Sequence, residues 1–180
     1  KPVRGHDYVI VDENDQELAW GNCGEICARS IHWMIEYHNR HDATREAMYV
    51  DKAGTLWLRT GDIGKVDEDG YLYIIDRKKD MILSGGQNIY PADIESVMVR
   101  HAAVSEVAVI GVPHDKWGET AIALVVAAPR TAKISAEEIL HWTNERVGKR
   151  QRIQRIEFKE ELPRNPNGKI LKRLLREQYS

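Results

Sequence analysis

The strongest constraint on how this chain folds is a change of pattern at the charged run Arg77-Lys78-Lys79-Asp80. Before it, apolar residues come in short runs broken by polar turns, which is strand periodicity. Tyr8-Val9-Ile10-Val11, Glu25-Ile26-Cys27-Ala28 and Leu56-Trp57-Leu58 are such runs. Gly64-Lys65-Val66-Asp67 and Tyr71-Leu72-Tyr73-Ile74-Ile75 flank Glu68-Asp69-Gly70, and the Asp-Gly pair predicts a hairpin there. Residues 1–76 therefore read as part of an antiparallel sheet or barrel.

After Asp76 the order becomes helix, strand, strand, helix, strand. Pro91-Ala92-Asp93-Ile94-Glu95 opens a helix, with proline pre-set for the first turn and acids at its positive end. Residues 107–112 and 121–128 are strands. Ser135-Ala136-Glu137-Glu138 is a capping box for a second helix that runs to Gly148. Residues 153–158 form a third strand, and 170–178 a short basic helix. This order predicts a small α+β domain with a three-stranded sheet and flanking helices.

Composition narrows the function classes. With 42% hydrophobic residues among 180, the chain can bury a core in one medium domain or two small ones. A net charge of -2 argues against nucleic acid or a membrane surface as the main partner. The longest purely apolar run, residues 121–128, falls far short of the ~18 residues of a membrane span. The start carries no signal-peptide pattern, and two cysteines only, Cys23 and Cys27, suggest a reducing compartment. Cytoplasmic localisation is the expectation. Cys23, Cys27, His32, His38 and His41 match no compact zinc spacing, so no metal site is expected. The first residue is Lys1, which suggests a piece of a longer chain.

Several stretches carry chemistry without proving it singly. Asp62, just past Gly61, reads as a carboxylate at a strand end that can accept two hydroxyls. Ser84-Gly85-Gly86-Gln87-Asn88 reads as a flexible loop that admits a ligand close to the backbone. Trp117 sits in a polar loop as a candidate stacking platform. Arg146, Lys149, Arg150, Arg152 and Arg155 form a basic cluster in sequence, which is usually a solvated face and less often an anion site. Lys169 stands at the tip of Pro163-Arg164-Asn165-Pro166-Asn167-Gly168, where Asn-Gly predicts a tight turn because both residues tolerate positive φ. The P-loop reading of Gly168-Lys169 fails, because the first glycine and the following Ser/Thr are missing.

Together and in this order, the segments resemble the carboxy-terminal part of the adenylate-forming superfamily. That superfamily comprises acyl- and aryl-CoA synthetases, luciferases and peptide-synthetase adenylation domains. Leu58-Arg59-Thr60-Gly61-Asp62 resembles its ribose-binding motif. Residues 76–82, with the Ser84–Pro91 stretch and Ile94-Glu95, resemble its hinge motif and loop. Residues 163–170 resemble its terminal lysine motif. The SGGQNIYP form is closer to the acyl- and aryl-CoA synthetases.

The resemblance implies the end of a large amino-terminal domain over 1–76 (a partial antiparallel β-barrel subdomain), a hinge at 77–80, and a mobile carboxy-terminal domain at 81–180. It implies that Lys169 meets the substrate carboxylate and the α-phosphate of ATP. Asp62 then holds the ribose hydroxyls and Arg77 contacts the ribose or phosphate side. Lys79 is the pivot. Gly85 and Gly86 let the pantetheine arm of CoA pass, Trp117 stacks on its adenine, and Arg150 and Arg152 meet its phosphates. ATP, CoA and a carboxylic acid, most simply a fatty acid, are the implied substrates, with Mg held by residues outside this chain. The phosphate loop and acyl pocket would precede Lys1, so the chain alone is expected to be inactive, and its unpaired sheet edges invite self-association. Ser30, His32 and Glu36 stand where the family has glycines, and Arg150 where it has an aromatic. Two alternatives stay open: transfer to a carrier protein or other acceptor, and a non-catalytic binding module.

Overall fold

The computed structural model describes Lys1, residues 4–129 and residues 134–179. The chain divides into two compact units, Lys1–Lys79 and Asp80–Ser180.

The first unit is organised on one long strand, β4 (Leu56–Val66). One edge of β4 pairs with β2 (Gly24–Ser30), which in turn pairs with β1 (His6–Val11). The other edge is shared: β3 (Met48–Val50) lies beside residues 56–58 and β5 (Leu72–Arg77) beside 62–66. The helix α1 (His41–Glu46) precedes β3. Apolar residues alternate between two faces, as strand pleating requires. Val11, Cys27, Tyr49 and Trp57 pack on one face, and Ile10, Ile26 and Val66 on the other.

The strand expected to end at Leu58 continues to Val66. Glu25 pairs with Ile63 but Cys27 with Arg59, so Thr60, Gly61 and Asp62 bulge out opposite Ile26. The Thr60 hydroxyl donates to the Ile26 carbonyl at 2.8 Å and so replaces the lost ladder bond. Gly61 takes φ +69, a left-handed conformation that only glycine reaches cheaply. The bulge turns what looked like a strand end into a kink within a strand.

The second unit is a five-stranded sheet, because the stretch read as a flexible loop is itself a hairpin. β6 (Ile82–Ser84) and β7 (Gln87–Ile89) join β8 (Val104–His114), β9 (Gly118–Ala127) and β10 (Ile156–Phe158). β9 is central, antiparallel to β8 on one edge. Its other edge carries the parallel β10 and a single antiparallel pair to β6, Ser84 with Gly118. Both faces of the β8–β9 ladder are covered, which is why its strands read as unbroken apolar runs. Val107, Val109, Ala121, Ala123 and Val125 pack under α2 (Pro91–Met98) and α3 (Ala136–Asn144) through Ile94, Met98 and Ile139. Ala108, Ile110, Val112, Ile122 and Leu124 pack with Leu162 and with Leu175 of α4 (Lys172–Arg176). The Ser135 capping box forms as expected, but α3 ends at Asn144 rather than Gly148.

Cys27 is fully buried among Val11, Tyr49 and Trp57, and burial, reinforced by nearby Glu25, pushes its thiol up to about 12. A thiolate is the reactive form, so Cys27 is inert in the native state. Alkylation of the native chain at pH 8 is expected to label Cys23 and spare Cys27 until denaturant is added, read by mass spectrometry. Equal labelling of both would contradict this packing.

Candidate functional site

In the first unit, the β4 bulge aims Asp62 at Arg77, its partner across β4–β5. Arg77 Nε lies 2.9 Å from Asp62 Oδ1, and the same guanidinium donates to the Thr60 carbonyl at 3.3 Å. The Asp62 amide donates to the Thr60 hydroxyl at 3.1 Å. Thr60 therefore holds both ends of the bulge, and Asp62 and Arg77 form one partly exposed acid–base pair. Thr60 escaped the sequence reading. Its only trace there was a hydroxyl residue next to a glycine inside an apolar run.

Close to the unit boundary, two further pairs tie the chain down. Glu25 is only 5% exposed, and its Oε2 accepts from Arg59 and from Lys78 Nζ, each at 2.8 Å. A buried carboxylate needs such partners, because desolvating it alone costs several kcal/mol. On the other side, the Asp80 carbonyl accepts from Arg176 of α4 at 2.7 Å, with the Asp80 carboxylate 3.7 Å from the same guanidinium. Lys78 is thus fixed within the first unit and Asp80 within the second, with Lys79 between them. Glu25 was legible only as a polar residue in an apolar strand.

The lysine turn in the second unit is built from backbone and side chain together. The Asn165 amide donates to the Lys169 carbonyl, the Gly168 amide to the Asn165 carbonyl, and the Lys169 amide to Asn165 Oδ1, all at 2.8–2.9 Å. Gly168 has φ +81, while Asn167 does not take positive φ, so the expected Asn-Gly turn is instead a Pro166-Asn167 turn closed by a left-handed glycine. The same device closes three other turns, at Asp12–Gln16, Asp51–Thr55 and Asp67–Tyr71. In each, the side-chain oxygen of the first residue accepts the amide of the fifth, and the fourth residue is left-handed. Asp69-Gly70 accordingly forms its hairpin through Gly70 alone. Arg164 braces the lysine turn, donating to the Gly168 carbonyl while pairing with Glu106 at 2.7 Å. The Lys169 side chain is exposed.

The glycine pair forms a two-residue turn between Ser84 and Gln87, with φ +55 at Gly85 and +75 at Gly86. Both signs match the primed turn that strand twist favours. The Gly85 amide donates to the Trp117 carbonyl at 2.8 Å. The Trp117 ring lies against Gly85, where an added β-carbon would sit 2.7 Å from its Cε3. The Lys116 ammonium is 4.8 Å from the ring centroid, and the residue remains 47% exposed. Trp117 is therefore a buttress for the turn as well as an exposed aromatic. Arg150 donates to Gln87 Oε1 at 2.7 Å and Gln151 to Asp93 at 3.0 Å, which fastens residues 149–151 beside the hairpin.

The structure thus brings Gly85, Gly86, Trp117 and Arg150 together. Arg152 is exposed and forms no hydrogen bond or ion pair with this group among the described residues. The basic cluster does not form as one patch: Arg146 caps Trp142 and pairs with Glu145, while Arg155 pairs with Glu157. Among the described residues no group of three or more His, Cys, Asp or Glu side chains is placed to hold a metal, and no helix is long and apolar enough to cross a membrane.

The two exposed groups of the second unit are anchored at opposite ends of β8. The lysine turn is anchored to Glu106, near the start of β8, whereas Gly85 and Trp117 adjoin its far end at His114. Eight residues of strand at roughly 3.3 Å each separate these anchors by about 26 Å.

Residues 93–169 match the AMP-binding enzyme C-terminal domain. With the fold and the motif order, this places the chain in the adenylate-forming superfamily, over that superfamily's carboxy-terminal part. The chain is 48% identical over 178 residues to the long-chain-fatty-acid–CoA ligase FadD13 of Mycobacterium tuberculosis, covering 99% of this chain and 32% of that protein. It is similar to the ATP-bound MatB structure from Rhodopseudomonas palustris, with a TM-score of 0.89 at 35% identity over 98% of this chain and 34% of that one. It also resembles the amide bond synthetase McbA from Marinactinospora thermotolerans, with a TM-score of 0.86 at 32% identity over 100% and 36%. The chain spans about a third of the length of the curated relatives it matches.

The two glycines differ in what a side chain would meet. Gly86→Ala suffers only the left-handed backbone, about 1–2 kcal/mol, because its β-carbon would touch nothing within 4 Å. Gly85→Ala adds the Trp117 clash and is expected to cost about 1–3 kcal/mol more. Denaturant midpoints of the two variants should show that order, and equal midpoints would contradict the Trp117 contact.

Proposed function

We propose that this chain provides the nucleotide-contacting lysine and the thiol-admitting lobe of an AMP-forming acyl-CoA synthetase. The observation that carries this reading is the separation of the braced Lys169 turn from the glycine hairpin, at opposite ends of β8–β9.

In the first half-reaction a substrate carboxylate oxygen attacks the α-phosphorus of ATP and pyrophosphate leaves. Negative charge builds on the phosphoryl oxygens, and the Lys169 ammonium offsets it. Its turn fixes the backbone, so little orientation entropy remains to be lost. Asp62, held by Thr60 and Arg77, accepts the ribose hydroxyls, and Arg77 faces the ribose or phosphate side. In the second half-reaction the CoA thiolate attacks the acyl carbon and AMP leaves. The Gly85–Gly86 turn presents bare backbone past which the pantetheine arm runs, Trp117 stacks on the CoA adenine, and Arg150 and Arg152 meet its phosphates. Rotation about Lys79, in a domain boundary at residues 77–80, exchanges the two groups. Its neighbours support that role: Lys78 is held by Glu25 within the first unit and Asp80 by Arg176 within the second.

FadD13 is named for a long-chain fatty acid, which favours a fatty acid as substrate here too. Mg and the triphosphate contacts belong to residues outside this chain, and on this reading the chain makes no adenylate alone. Cys23 and Cys27, neither of them in a disulfide, fit a cytoplasmic enzyme. McbA, named for amide bond synthesis, keeps a second reading in view, transfer to an acceptor other than CoA.

In the full-length enzyme, Lys169→Ala is expected to slow adenylate formation about a thousandfold while sparing thioester formation from supplied acyl-adenylate. Pyrophosphate release and thioester yield, measured separately, check this. Equal loss in both half-reactions, or loss in neither, would contradict the assignment.

A further inference from the structure

The glycine hairpin meets the backbone of the central strand at one place. β6 shares only the Ser84–Gly118 pair with β9, joined by the Gly85-to-Trp117 backbone bond. Ile82 and Ile89 seat the base of the hairpin in the core, but the turn itself, residues 85–88, is exposed and lies beyond that anchor. A further link to it comes from a side chain. The Leu83 amide, next along β6, donates to Glu119 Oε2 at 2.9 Å. A carboxylate acceptor makes this stronger than a ladder bond between neutral groups.

Glu119 reaches Leu83 because β8 leaves room for it. Gly111, two register positions along the ladder, does not need glycine for its backbone, since it is not among the left-handed positions. A β-carbon there would lie 3.2 Å from Cδ, Oε1 and Oε2 of Glu119 alike. Such a contact is tighter than a carbon and a carboxylate tolerate without shifting. Gly111 thus keeps open the space that the Glu119 carboxylate crosses.

We infer that Glu119, lodged against Gly111, is a positioning residue that sets the Gly85–Gly86 turn for the thiol-transfer step. It acts through Leu83 and touches no substrate. Its removal therefore affects the turn and not the Lys169 end of the ladder. The inference rests on the proposed function of the hairpin, but its structural half stands independently of that reading.

The test uses the full-length enzyme and three variants, Glu119→Ala, Glu119→Gln and Gly111→Ala. Amide hydrogen exchange reads the bracket, and steady-state kinetics with CoA reads its consequence. Glu119→Ala is expected to speed exchange at Leu83 and Gly85, leave the Val109 amide protected, and raise the KM for CoA about tenfold, the weight of one hydrogen bond to a charged group. Pyrophosphate release in the first half-reaction should stay within about twofold. Glu119→Gln, which keeps an acceptor oxygen, should recover most of the CoA affinity. Gly111→Ala should mimic Glu119→Ala, and in the Glu119→Ala background it should add little, because coupled neighbours are non-additive. Unchanged exchange at Leu83 and Gly85 would overturn the inference. So would faster exchange with an unmoved KM for CoA, or a loss shared equally by both half-reactions. If the unmodified enzyme makes no thioester from CoA while the exchange result holds, the proposed function fails and the bracket survives.

Discussion

The β8–β9 ladder is the interaction on which the second unit depends. Its register runs from Val104–Ala127 to His114–Gly118, and both of its faces are buried. A strand pair packed on both sides is stiff, since neither face can shift without opening a void. Each end carries one exposed group: the lysine turn through Arg164 and Glu106, and the glycine hairpin through Trp117 and Glu119. About 26 Å of rigid strand separates the anchors of those two groups. On the proposed reading this length is the reason the lobe must turn, because two half-reactions share one adenylate.

Local geometry shapes the exposed turns, while their flanking residues, Ile82 and Ile89 or Leu162 and Ile170, anchor them in the core. Asn165 fixes the lysine turn with the same side-chain bond that Asp12, Asp51 and Asp67 use in theirs. Thr60 and Gly61 do the same work for Asp62 in the β4 bulge. In each case a short polar side chain replaces a backbone bond and one left-handed residue absorbs the kink. In the lysine turn and the β4 bulge, Lys169 and Asp62 then project from a backbone that is already fixed.

Much of this was legible in the sequence where a residue's role is local. The pattern change at Arg77–Asp80, the Ser135 cap and the apolar runs of β8 and β9 all follow from propensity and periodicity. The lysine turn and the glycine pair are visible as turns in the sequence, with Gly168, Gly85 and Gly86 at positive φ. What the sequence hid was non-local. Thr60 reaches Ile26, Lys78 reaches Glu25, and Glu119 reaches Leu83, each across 34 residues or more. The bulge that lengthens β4 depends on such a bond, so a strand end was expected where a kink occurs. β6 and β7, of three residues each, are too short for periodicity to reveal and are set by their partner strand. The basic residues 146–155 looked like one patch because sequence proximity was the only guide. Their acidic partners, Glu145 and Glu157, scatter them.

The central claim, one lobe serving two steps by turning at Lys79, is tested most directly by freezing that residue. Proline fixes φ near −65° and restricts the residue before it. In the full-length Lys79→Pro enzyme, a single turnover with ATP and acid, followed by addition of CoA, separates the steps. The account predicts that one half-reaction keeps a rate close to that of the unmodified enzyme while the other falls by about a hundredfold or more. Both half-reactions proceeding at unmodified rates would contradict it.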